Sequence, residues 1–78
     1  MVENWKMFDD MKVGDEFFII KGVYEYSNHV GICEISYIGR DFVDFKWGSG
    51  RGESSLHESW NGVMIAPNSH AMGILYGL

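Results

Sequence analysis

Four side chains in this sequence have the chemistry to ligate zinc: His29, Cys33, His57 and His70. His29 and Cys33 are four positions apart. On a strand, residues at that spacing share a face but stand ~13 Å apart along it, too far to share one metal. A bend at Gly31 would shorten the distance. No Cys-x-x-Cys or His-x-x-x-His pair is present, and structural zinc sites normally carry one. The expectation is a packed thiol and solvent-facing or hydrogen-bonded histidines, with no metal and no other cofactor.

Nucleophilic catalysis needs a nucleophile, a base and an orienting group brought together. Ser54, Ser55, His57 and Glu58 lie close in sequence beside a glycine-rich loop. No Gly-x-Ser-x-Gly elbow accompanies them. The carboxylate pairs Asp9-Asp10 and Asp15-Glu16 are adjacent in sequence, so on a helix or strand they point apart and share no proton. Gly48-Ser49-Gly50-Arg51-Gly52 lacks the Gly-Lys-Ser/Thr ending of a phosphate-binding loop. A chain this small rarely builds a pocket that excludes water. The expectation is a protein that is not an enzyme.

The aromatic side chains point elsewhere. Trp5, Trp47 and Trp60, with Tyr24, Tyr26, Tyr37 and Tyr76, supply more indole and phenol than a thin core needs. Trp and Tyr are enriched at binding hot spots, because they bury large area at small entropic cost. Trp47 and Trp60 flank the glycine-rich loop, whose Arg51 could reach into a partner groove. The expected contact surface is therefore Trp47, Arg51 and Trp60, with Tyr24 and Tyr26.

Composition narrows the partner. The chain of 78 residues is one domain, and at this size the core is thin. Sixteen Val, Ile and Leu, twelve aromatics and five Met exceed what such a core can hide. An interface, with a second copy or with another protein, is the expected use of the surplus. The net charge is −5, and all of it falls in residues 1–44. No cluster of Lys and Arg exists to meet phosphate, which argues against direct nucleic-acid binding. An acidic face suits a basic protein partner, including one that handles nucleic acid. The longest apolar runs, such as Phe17-Phe18-Ile19-Ile20, are far short of the ~20 residues of a membrane span. Cys33 is the single cysteine, so no internal disulfide can form. The acidic start has no apolar stretch of a signal peptide, and the expected location is the cytoplasm.

The elements that must position these groups are short. Residues 3–11 suit a short helix, with Trp5, Phe8 and Met11 at a spacing of three. Lys12-Val13-Gly14-Asp15 reads as a turn. Residues 16–22 form a strand apolar on both faces, and residues 24–28 a loop or short edge. Residues 30–38 and 42–47 form a hairpin about Gly39-Arg40-Asp41, with Val43, Phe45 and Trp47 on one face and Asp44 and Lys46 on the other. Residues 53–60 fit a strand or a helical turn, and a strand ending near Asn61-Gly62 is favoured. Strands at 63–66 and 71–78 complete the chain, the former stopped by Pro67-Asn68. Short strands with glycine turns predict a mainly β fold, a small barrel of about five strands with a short N-terminal helix.

The stretch from Lys12 to Trp47 resembles the first half of SH3-like small barrels, particularly Tudor-type and similar bacterial or phage modules. The likeness rests on Val13-Gly14-Asp15 before the first strand and on the strand-turn-strand from Ile35 to Phe45. The Tudor family holds methylated Lys or Arg in an aromatic cage, for which the resemblance offers Tyr24, Tyr26, Tyr37 and Phe45. In composition the chain is also similar to short acidic accessory proteins of phages, many of which bind and block a host protein. The sequence thus leads to a non-enzymatic protein-binding module acting as an inhibitor or regulatory accessory protein, with phage origin and a host target as the expectation. Its alternative is an aromatic-groove reader of a small ligand, nucleotide or modified side chain.

Overall fold

The computed structural model describes residues 1–22, 30–48, 50 and 52–68. A 3-10 helix at Trp5–Asp10 precedes strands β1 (Glu16–Lys21), β2 (Gly31–Ile38), β3 (Phe42–Trp47), β4 (Glu53–His57) and β5 (Met64–Pro67). The strands form one antiparallel sheet in the order β4-β3-β2-β1-β5. The first four make a meander, and β5 returns to the outer side of β1. This is the mainly β small barrel that the sequence predicts.

The N-terminal residues link the two ends of the strand order. The Val2 amide donates to the Glu58 carbonyl just after β4, at 2.8 Å. The Glu3 amide donates to the Val63 carbonyl just before β5, also at 2.8 Å. Glu3 and Met64 form a parallel bridge, and the Val2 side chain is buried in the core. Two residues thus occupy the seam where an open sheet would present unsatisfied backbone groups.

The spacing of three that marks residues 3–11 as helical is the repeat of a 3-10 helix, and that is the helix formed. Phe8 is buried, with Trp5, Met7 and Met11 packed against the core. The turn at 12–15 forms as expected: the Asp15 amide donates to the Lys12 carbonyl at 3.0 Å, and Gly14 takes φ +94°. That positive φ is where a type II turn requires glycine.

Period-two alternation then sorts the strands. In β1, Phe17 and Ile19 are fully buried, while Phe18 and Ile20 are half-buried on the other face. In β3, Val43, Phe45 and Trp47 are buried as predicted. Residues 53–57 are strand, which settles the choice left open for 53–60. The chain turns sooner than expected, because the Glu58 amide reaches the Asp41 carbonyl and the Trp60 amide reaches the His57 carbonyl. The strand expected at 63–66 is shifted by one residue. The segments expected at 24–28 and 71–78 lie outside the described residues.

Edge-to-face rings run through the interior. Trp5 meets Phe8 at 4.9 Å between centroids, Phe8 meets Phe17 at 5.1 Å, Phe17 meets Phe45 at 5.5 Å and Phe45 meets Trp47 at 5.1 Å. Such pairs add ~0.5–1.5 kcal/mol beyond their buried area, which helps a core this thin. Among the described residues no helix is long and apolar enough to cross a membrane.

Candidate functional site

The outer face of β2, β3 and β4 carries the group of side chains with most capacity to bind. Its geometry starts from an irregularity in β2. Ile35 stands opposite Phe45, but Tyr37 stands opposite Asp44, so one extra residue, Ser36, is accommodated between them. Strict alternation would have placed Tyr37 with Ile35 in the core. The bulge re-aims it outward, a common use of bulges near binding sites. Tyr37 is 55% exposed as a result.

Phe42 opens β3 on the same outer face as Asp44 and Lys46. Its partner across β4 is His57. The Tyr37 ring stacks on Phe42 at 5.7 Å with planes 28° apart. Phe42 lies 6.1 Å from His57 at 31°, and His57 lies 5.1 Å from Trp60 at 46°. Four rings therefore form a ladder across the sheet and onto the turn after β4. Trp60 is 36% exposed and His57 is also exposed. Among the described residues the aromatic rings thus divide into an edge-to-face set inside the barrel and this stacked-to-tilted set outside it.

Of the expected contact residues, the two described ones, Trp47 and Trp60, are not brought together. Trp47 is only 8% exposed: its ring packs on Phe45 and its Nε1–H donates to Ser54 Oγ at 3.1 Å. Its alternation with Val43 and Phe45 puts it inward. Trp60 lies beyond the opposite end of β4, roughly 17 Å along the strand from the Trp47 end. The two indoles flank the glycine-rich loop in sequence but not in space. Arg51, Tyr24 and Tyr26 lie outside the described residues. The cage offered by the family resemblance is not assembled from its described members, because Phe45 is fully buried while Tyr37 faces out.

The candidate catalytic group is also dispersed. Ser54 faces Trp47, and the Ser55 hydroxyl donates to Asp44 Oδ1 rather than to His57. His57 is held between the rings of Phe42 and Trp60. Cys33 is fully buried, its Sγ near the Gly31 carbonyl at 3.7 Å, and desolvation pushes the thiol up to about 12. A buried thiol that keeps its proton at neutral pH is a poor nucleophile. Among the described residues no group of three His, Cys, Asp or Glu side chains is placed to hold a metal ion. His29 and His70 lie outside the described residues.

Sequence reasoning passed over Phe42, and it weighed His57 only as a metal ligand or catalytic group, not as a ring on a contact surface. A signal for Phe42 was present, since it shares parity with Asp44 and Lys46, the solvent face of β3. In comparisons with known proteins, no family model, no curated protein and no solved structure matches this chain.

Proposed function

We propose that this chain is a non-enzymatic protein-binding module that acts as an inhibitor or regulatory accessory protein by covering part of a partner's surface. The observation that supports it is the exposed ladder Tyr37–Phe42–His57–Trp60. Stacked rings on a solvent face add little to a core, yet they form a pre-organised contact area of the composition found at hot spots. Their rotamers are already restrained by one another, so ordering them on binding costs little entropy.

The test is affinity capture from nuclease-treated lysate of the native cell or its host, with wild type beside Tyr37→Ser and Trp60→Ala. One protein recovered near stoichiometry by wild type, and lost with both variants, supports the reading. Equal recovery by all three removes the ladder as the contact surface. Tryptophan fluorescence titration with nucleotides and short oligonucleotides covers the alternative reader of small ligands. Saturable quenching there, with no protein captured, would replace the proposed function.

A further inference from the structure

The ring ladder is bordered by acid on both sides. Beside its His57 ring is a recess of about 350 Å³ lined by Met1, Asp41, His57, Glu58 and Ser59. On the flank formed by the next cross-strand row is a second recess of about 210 Å³, lined by Ser36, Asp44, Glu53, Ser54 and Ser55. Each recess carries two carboxylates, and no Lys or Arg is among its described lining residues. The nearby cations do not offset this. Lys46 stands between Glu34 on β2 and Glu53 on β4, opposite both across the sheet. Arg40 sits exposed in the turn beside Asp41. Five carboxylates thus face three cations around the ring ladder: Lys46, Arg40 and the Met1 α-ammonium, which lines the first recess and donates to Asn61 Oδ1 at 2.6 Å.

We infer that this face docks an arginine-bearing segment of the partner protein, with guanidinium groups laid on the Tyr37–Trp60 rings and forked into the carboxylates on either side. The inference rests on the proposed protein-binding function and names the chemistry of the partner. Guanidinium is the side-chain group that satisfies both features at once. It is planar and weakly hydrated, so it stacks on aromatic faces, and its fork matches a carboxylate. A lysine ammonium is a compact, strongly hydrated point charge and gains less from the rings. An apolar partner would strip water from the bordering carboxylates and return nothing. Nucleic acid would bring phosphate against the same acids. A second copy of this chain would oppose two acidic faces.

Fluorescently labelled peptides of alternating Arg and Gly, Lys and Gly, and Glu and Gly test this by anisotropy titration at moderate salt. The whole chain is compared with Tyr37→Ser, which keeps every charge, and with Asp41→Asn/Glu58→Gln, which keeps every ring. The wild type is expected to bind the arginine peptide about five- to tenfold more tightly than the lysine peptide, and the glutamate peptide not at all. Tyr37→Ser is expected to bring the arginine peptide down to the level of the lysine peptide. The double variant is expected to weaken both peptides. Equal affinity for the arginine and lysine peptides, or an arginine preference that survives Tyr37→Ser, overturns the inference. Ladder-dependent capture of a protein without arginine-peptide binding would leave the proposed function standing and remove this inference alone. Ladder-independent capture would remove both.

Discussion

The ring of Phe42 lies over the backbone of Gly39, across the turn that joins β2 to β3. A Cβ added at Gly39 would fall inside contact distance of three Phe42 ring carbons. The Gly39 amide also donates to the Phe42 carbonyl at 2.9 Å, so the backbone cannot simply withdraw. Gly39→Ala is therefore expected to cost ~1–3 kcal/mol or to swing the Phe42 ring out of the ladder. Urea unfolding reads the first effect, and loss of ring-current shifts on Tyr37 reads the second. A variant with wild-type stability and wild-type Tyr37 shifts would contradict this packing.

Trp47 and Trp60 should separate cleanly under mutation. Trp47 is buried on Phe45 and hydrogen-bonded to Ser54, so Trp47→Ala is expected to cost ~3–5 kcal/mol. Trp60 stands at the exposed end of the ladder, and Trp60→Ala is expected to cost less than about 1 kcal/mol. Denaturation midpoints of the two variants decide the matter. Loss of partner binding in Trp47→Ala then reports unfolding, whereas loss in Trp60→Ala reports the contact. Equal destabilisation by both would contradict the placement of Trp60.

The strands were legible in the sequence because alternation is a local signal. Phe17 and Ile19, or Val43 and Phe45, declare their face from their neighbours alone. The grouping of the four rings into one site was not legible, because it depends on two non-local facts. One is the extra residue at Ser36, which reverses the parity of Tyr37 and is visible only against β3. The other is the register that sets Phe42 opposite His57. Proximity in sequence misled at the glycine-rich loop: Trp47 and Trp60 bracket it, but β4 carries the chain away before Trp60 is reached. The same pattern that hid Tyr37 from the sequence makes the ladder a product of the fold.

Val2 and Glu3 should be as protected from hydrogen exchange as the strands. Their amides join the exit of β4 to the entry of β5, and the Val2 side chain is 1% exposed. Native-state exchange is expected to place both amides in the slowest class, not with a fraying terminus. Val2→Asp would bury a carboxylate at the seam and is expected to unfold a large fraction of the protein. Fast exchange at both amides, with a stable Val2→Asp variant, would show that the barrel holds without this seam.

Cys33 gives the fold a defined alkaline limit. The thiol ordinarily ionises near 9.0, and burial raises it to about 12 in the folded protein. Below pH 9 the thiol keeps its proton in both states and stability is unaffected by it. Between pH 9 and 12 the unfolded chain releases a proton that the folded chain retains, so rising pH favours unfolding. The slope contributed by this group approaches ~1.4 kcal/mol per pH unit in that window. Urea midpoints measured from pH 8 to 11 should therefore fall more steeply for wild type than for Cys33→Ala. The same burial predicts slow reaction with a thiol reagent at pH 8 and fast reaction once urea unfolds the chain. Parallel pH profiles for the two proteins, or a fast folded-state reaction, would place Cys33 outside the core.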